Sequence, residues 1–194
     1  DGQDPTYHLI NTRELGALKK NAVLINASRG PVLDNSAALK ARDDITLILD
    51  VFEGEPRPDR DLLRRCFLTT PHIAGYSYDG KINGTQMMAF ALSRYLNHPS
   101  SWVPHLPSPP DHQFSLHETD PMKATLEAIR HSYAIREDDR RLREGLELSD
   151  EEWGKHFDQL RKNYPKRREF ANYKALNPPS DPTIQRRLRV LHFL

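Results

Sequence analysis

Two short apolar runs without alternation, residues 22–26 (Ala-Val-Leu-Ile-Asn) and 45–51 (Ile-Thr-Leu-Ile-Leu-Asp-Val), constrain this chain more than any other feature. Successive side chains of a strand point to opposite faces, so an unbroken apolar run predicts a strand covered on both sides, the habit of parallel sheets. Parallel neighbours need a crossover, and Asp34 to Ala41 reads as the helix that makes it. Ahead of the first run, Asn11 followed by Glu14 has capping-box spacing, and Leu15 and Leu18 lie one turn apart, which predicts a short helix after Asn11. The order helix, strand, helix, strand is half of a doubly wound α/β domain, whose ligands sit beyond the carboxyl ends of the strands. The residues following Asn26 and Leu49 are therefore where chemistry is expected.

Further along, Ile82, Met88, Leu92 and Tyr95 fall on one face of a helix predicted between Ser77 and His98, and this stripe reads as core. Residues 98–110 contain five prolines, which remove backbone donors and fix φ, so a linker is expected there. Beyond it, Phe114 to His117 predicts a short strand; Pro121 to Ile135, Ser149 to Asn163 and Ser180 to Leu191 predict helices, giving a small α+β or mostly helical part.

Composition removes several classes of function. Lys and Arg number 28 against 27 Asp and Glu, a net charge of +1, so there is no global bias toward nucleic acid or anionic lipid. Cys66 is the only cysteine, which excludes an internal disulfide framework and a multi-thiolate metal site and suits a reducing, cytoplasmic setting. No run is long and apolar enough for a membrane helix, and the start lacks both Met and a signal-like segment, from which a carboxyl-terminal fragment is expected.

Just past the first run stands Asn26-Ala27-Ser28-Arg29-Gly30-Pro31. Arg29 is placed to grip a carboxylate or phosphate bidentately, and Gly30 would let the backbone approach a ligand. Past the second run comes Asp50-Val51-Phe52-Glu53-Gly54-Glu55-Pro56, with acids at the same sheet edge. Thr70-Pro71-His72-Ile73-Ala74-Gly75-Tyr76 follows. Singly, these read as a solvated Arg, an acidic turn and a structural His. Together, Arg29, Asp50, Glu55 and His72 supply an anion clamp, a carboxylate to orient an imidazole, and a proton carrier that works near neutrality.

The strings INASRGPVLD, LDVFEGEP and TPHIAGYS, in this order and separation, resemble the carboxyl half of the NAD-binding domain of the D-isomer-specific 2-hydroxy acid dehydrogenases. GKINGT after Tyr76, then IREDDRRLR and FDQLRKNYPKRREF, resemble a branch of that family with an additional carboxyl-terminal domain, acting on a phosphorylated 2-hydroxy acid. The resemblance implies a Rossmann-type fold in four parts: residues 1–84 as the second half of the NAD-binding domain, 85–98 as a helix returning toward a substrate domain upstream of Asp1, 99–112 as linker, and 113–194 as a dimerisation domain forming a homodimer. It implies that Arg29 holds the substrate carboxylate, that His72 is the acid–base group and Glu55 its partner, that Ala27, Ser28, Arg29, Asp50 and Gly75 contact NAD, and that Tyr76 touches substrate. Glu53 has no role in this scheme and is expected to be solvated. The Gly-rich loop and the residue that separates NAD from NADP would lie upstream, so these 194 residues alone are not expected to turn over.

Alternative readings are a phosphoglycerate- or glyoxylate-type dehydrogenase that has gained a domain, and a non-catalytic NAD-sensing corepressor or scaffold; the latter predicts decay of the Arg, Glu and His set, which is present here. The basic run Arg161 to Arg168 lies among Asp150, Glu151, Glu152, Asp158 and Glu169, so intramolecular or intersubunit pairing is expected rather than nucleic-acid binding. His105, His112 and His117 lack partners at ligand spacing, and no metal or membrane is expected.

Overall fold

The computed structural model describes residues 5–99 and 101–194. Helix α1, Thr12–Ala17, opens on the expected capping box: the Asn11 side chain accepts from the Arg13 N–H, and Glu14 reaches back to the Asn11 N–H at 3.2 Å. Strand β1, Val23–Asn26, pairs in parallel with β2, Thr46–Leu49, through α2, Asn35–Leu39, capped by Asp34. Helix α3, Arg60–Arg65, then leads to β3, Leu68–Thr69, which adds in parallel to β2, giving the order β1-β2-β3. Both α3 and the two-residue β3 are absent from the sequence reading, because neither is long enough to show periodicity.

Only part of the two-sided burial expected of the strands is seen. Leu47 and Leu49 of β2 are fully buried, whereas Val23 and Ile25 on β1 are more than half exposed. Among the described residues β1 has a strand neighbour on one side only, which leaves it as the sheet's edge.

The remaining elements are α4, Tyr78–Tyr95; β4, Gln113–Ser115; α5, Pro121–Ser132; α6, Ile135–Arg143; α7, Asp150–Lys162; β5, Lys174–Leu176; and α8, Pro182–Val190. Strands β4 and β5 form a parallel pair. Residues 101–112 form neither helix nor strand, in keeping with their prolines. Met88, Leu92 and Tyr95 of α4 are exposed, so the apolar stripe read as core is not buried among the described residues.

The chain divides into two compact units, residues 1–74 with 135–164, and residues 75–134 with 165–194. This departs from the expected boundaries at 84, 98 and 112. Helices α6 and α7 and the turn between them place Leu142, Leu146, Trp153 and Phe157 in the same apolar cluster as Leu15, Leu33, Leu47, Leu49, Leu62 and Leu63. Polar bonds fix them there. Arg143 donates to the carbonyls of Leu63 and Cys66 at 2.9 Å, the Asp139 carboxylate accepts from the Thr69 N–H and hydroxyl, and Trp153 Nε1 donates to the Pro58 carbonyl. The second unit has its own core of Phe114, Ala124, Ala128, Ala175, Ile184, Leu188 and Phe193. Residues 113–194 are therefore not one block, since the apolar faces of α6 and α7 belong to the first core.

The basic run is largely paired inside its own units. Arg168 is buried and bound to Asp79 through Nη2 at 2.9 Å, Lys166 lies over Tyr78, Arg167 over Tyr133, and Arg161 over Phe157. The acid that Arg168 pairs with, Asp79, is distant in sequence.

Candidate active site

Three loops leave the carboxyl ends of β1, β2 and β3, and the strand register brings them to one edge: Asn26 stands opposite Leu49, and Leu49 opposite Thr69. Backbone bonds carry the alignment onward, with the Asp50 N–H donating to the Asn26 carbonyl at 2.9 Å and the Thr70 N–H to the Leu49 carbonyl at 3.0 Å. Arg29, Asp50, Glu55 and His72 all lie on these loops, at one rim of the sheet.

The first loop is shaped by Asn26. Its buried side chain accepts from the N–H and hydroxyl of Ser28 at 3.1 and 2.9 Å, and donates to the Arg29 carbonyl at 3.0 Å. Ala27, Ser28 and Arg29 are exposed, and the Arg29 guanidinium donates to the Ser28 carbonyl at 2.7 Å. Gly30 has a different task from the one expected. A Cβ there would overlap the Phe52 carbonyl and stand 2.7 Å from the Glu53 nitrogen, so its missing side chain admits the second loop's backbone rather than a ligand.

Asp50 is 6% exposed, and its carboxylate serves the third loop: one oxygen accepts from the Thr70 hydroxyl (2.6 Å) and the Ile73 N–H (2.7 Å), the other from the Ala74 N–H (3.1 Å). This clamp holds His72 at φ +55°, a left-handed conformation that side-chain-bearing residues adopt only when their surroundings enforce it. The ring then meets Glu55: Nδ1 lies 2.8 Å from Oε2, while Oε1 accepts from the Phe52 N–H at 2.8 Å. The His72 and Glu55 side chains are 28% and 19% exposed, so the pair is shielded but reachable. Among the described residues no hydrogen bond to His72 Nε2 is found, so that nitrogen is not engaged by the protein there. With Nδ1 engaged by a carboxylate, the ring is fixed in orientation, as a general base requires.

The chain's own residues at this rim fit a dinucleotide only in part. Ala27, Ser28 and Arg29 are exposed, which leaves this loop open to a ligand. No G-x-G-x-x-G occurs in the sequence to receive a pyrophosphate. Gly75 and Tyr76 open the second unit, where Lys81 Nζ stands 3.7 Å from the Tyr76 ring centroid.

Glu53 is not solvated as expected. Its Oε1 lies 2.7 Å from His8 Nε2, and its Oε2 accepts from the Asn35 N–H at 3.1 Å. His8, Asp34 and Glu53 are also the one group among the described residues whose donor atoms come close enough to hold an ion. None of His105, His112 and His117 belongs to it, and His117 instead pairs with Glu127 at 2.8 Å. The His8–Glu53 contact spans 45 residues, and no spacing rule would have found it.

The carboxyl rim of this parallel α/β sheet thus carries an arginine and a carboxylate–imidazole pair. Residues 2–74 match the family described as D-isomer specific 2-hydroxyacid dehydrogenase, NAD binding domain. Over those residues the chain is similar to part of that NAD-binding domain. Its relatives are, more particularly, erythronate-4-phosphate dehydrogenases: one from Cellvibrio japonicus is 40% identical over 99% of this chain and 53% of its own length. Another, from Pseudomonas putida, is 45% identical over 87% of this chain and 46% of its own. The chain spans about half the length of the curated relatives it matches. Residues 105–187 match a second family, described as a domain of unknown function, DUF3410. A Rhodotorula graminis D-mandelate dehydrogenase structure aligns with 26% identity and TM-score 0.42, over 50% of this chain and 31% of its own.

Proposed function

We propose that the protein, in its full natural length, is an NAD-dependent oxidoreductase that converts 4-phospho-D-erythronate to 3-hydroxy-2-oxo-4-phosphooxybutanoate, a step of pyridoxal 5'-phosphate biosynthesis. The observation that carries the reading is the Glu55–His72 pair at 2.8 Å on the sheet rim that also bears Arg29. Arg29 binds the substrate carboxylate with its guanidinium fork and orients C2. His72 Nε2 takes the proton of the C2 hydroxyl, and Glu55 stabilises the imidazolium that results. The nicotinamide, when bound, supplies the hydride acceptor. Ala27, Ser28, Arg29, Asp50 and Gly75 lie on the cofactor side and Tyr76 on the substrate side. Asp50 acts there chiefly by holding the His72 turn, since its carboxylate already accepts three bonds. Residues 1–194 alone are inactive in this account, having no Gly-rich pyrophosphate loop.

The same reading makes the protein a cytoplasmic homodimer joined through residues 113–194. The exposure of Met122, Leu126 and Val190 supports the dimer, and a single buried, unpaired Cys66 suits a reducing compartment. No helix among the described residues is long and apolar enough to cross a membrane.

The test is a substrate panel on the full-length protein, comparing 4-phospho-D-erythronate, unphosphorylated erythronate, 3-phosphoglycerate and glyoxylate, each with NAD and NADP. The highest kcat/KM is expected for 4-phospho-D-erythronate with NAD. A preference for phosphoglycerate or glyoxylate would transfer the protein to the other dehydrogenase reading, and no turnover of any would favour a sensing role.

A further inference from the structure

The geometry points to His8 as a positioning residue that, through Glu53, sets the Arg29 loop against the loop carrying Glu55. The inference rests on the acid–base reading of Glu55 and His72 given above. His8 is bound to both loops at once. Its N–H donates to the Pro31 carbonyl at 2.7 Å, two residues past Arg29, and the segment continues alongside with Ile10 bridged to Leu33. Its ring turns Nε2 to Glu53 at 2.7 Å and Nδ1 toward Asp34 at 3.7 Å, with Tyr7 stacked on it at 4.0 Å between centroids.

Glu53 repeats what Glu55 does two residues later. Each carboxylate gives one oxygen to an imidazole and the other to a backbone N–H: Glu53 to His8 and Asn35, Glu55 to His72 and Phe52. Both histidines have left-handed backbones, at φ +50° for His8 and +55° for His72. The Asn35 amide completes the seat of Glu53 in the orientation that accepts from its N–H at 2.7 Å and donates to the Leu33 carbonyl at 3.1 Å. Between the two acids Gly54 turns at φ +74°. A short loop fixed at Glu53 thus presents Glu55 with little freedom, and His72 takes its ring orientation from Glu55.

A metal site is the competing use of His8, Asp34 and Glu53, but His8 Nε2 is already hydrogen-bonded to Glu53 at 2.7 Å. The Asp34 side chain is also engaged as the α2 cap, accepting from the Ala37 N–H at 2.9 Å. That places these groups as a hydrogen-bonded tie.

The test compares His8→Leu, His8→Gln, Glu53→Gln and His72→Asn in the full-length protein. His8→Leu is expected to lower kcat/KM for 4-phospho-D-erythronate on the order of tenfold or more, since small displacements of reacting groups cost that much, and to shift the rising limb of its pH profile. His8→Gln, whose amide can still donate to Glu53, is expected to restore most of both. Nitrogen-15 NMR of the histidine rings supplies a readout free of turnover: the His72 signals, identified by their loss in His72→Asn, are expected to move in His8→Leu and Glu53→Gln and stay in His8→Gln. Unchanged His72 signals and an unchanged pH profile in His8→Leu, with lowered thermal stability alone, would overturn the inference, as would stoichiometric zinc binding abolished by that variant. If His72→Asn keeps full turnover, the acid–base reading fails instead, and the NMR comparison still decides the role of His8.

Discussion

Asp50 and His72 are joined through the backbone and through the Asp50 side chain: the His72 N–H donates to the Asp50 carbonyl at 2.7 Å, while the Asp50 carboxylate takes up the Ile73 and Ala74 N–H groups that follow. A buried carboxylate thereby holds the imidazole's backbone in the left-handed region, and Glu55 has only the ring to orient. The site is built from the sheet outward, each loop held by the one before it.

Asp50→Asn should be costly despite its near-identical shape. Its amide nitrogen would face a backbone N–H or the Thr70 hydroxyl, leaving a buried donor unpaired, which typically costs about 1–3 kcal/mol. Chemical denaturation should show a loss of that size, and the His72 ring signals should broaden as the turn loosens.

Gly30→Ala tests the close approach of two loops. The added methyl would overlap the Phe52 carbonyl, a backbone atom that cannot swing aside, so the loss should reach or exceed the roughly 1–3 kcal/mol typical of overpacking. A variant melting within a degree of the parent would refute the reading of Gly30 as a packing residue.

Burial pushes the Cys66 thiol up to about 12, against the opposing pull of Arg143 and Arg65. Being 5% exposed and almost wholly protonated near neutrality, it should resist alkylation in the folded protein and react on unfolding. Rapid modification by a thiol reagent at pH 8 without denaturant would contradict this.

Acid should weaken the second unit through Asp79. Burial raises its carboxyl, but Arg168 and the Glu169 N–H outweigh that and hold it below the ordinary range. Because the folded value lies below the unfolded one, the stabilisation is complete above about pH 4 and disappears as pH falls through the folded value. Asp79→Asn should remove this acid dependence. It should also destabilise at neutral pH by about 3 kcal/mol or more, since it removes the counter-charge of the buried Arg168 guanidinium. Urea titrations at two pH values measure both.

Local signals made much of the first unit legible. Asn11 and Glu14 form the capping box their spacing predicts, Asp34 caps α2, and the two apolar runs are β1 and β2. Elements of two or three residues, β3 and β5, carry too little periodicity to be read. The return of α6 and α7 to the first core was hidden for another reason: a charged stretch such as Ile-Arg-Glu-Asp-Asp-Arg-Arg-Leu-Arg buries little but Leu142, and sequence does not say against which core. The motif strings led to Glu55 and His72, whose contact is present. The same strings gave Gly30 and Glu53 the wrong surroundings, because both are satisfied by residues far along the chain.

The most direct measurement of the central claim is the pH dependence of kcat/KM for 4-phospho-D-erythronate in the full-length protein and its His72→Asn and Glu55→Gln variants, with NAD binding followed in parallel. The account predicts that His72→Asn loses roughly a hundredfold or more, the usual contribution of a positioned general base, together with the rising limb of the profile, while NAD affinity is kept. Glu55→Gln should lose less than His72→Asn, since the ring keeps its accepting nitrogen and loses only the carboxylate that orients it. Near-parental turnover and an unaltered profile in His72→Asn would contradict the account.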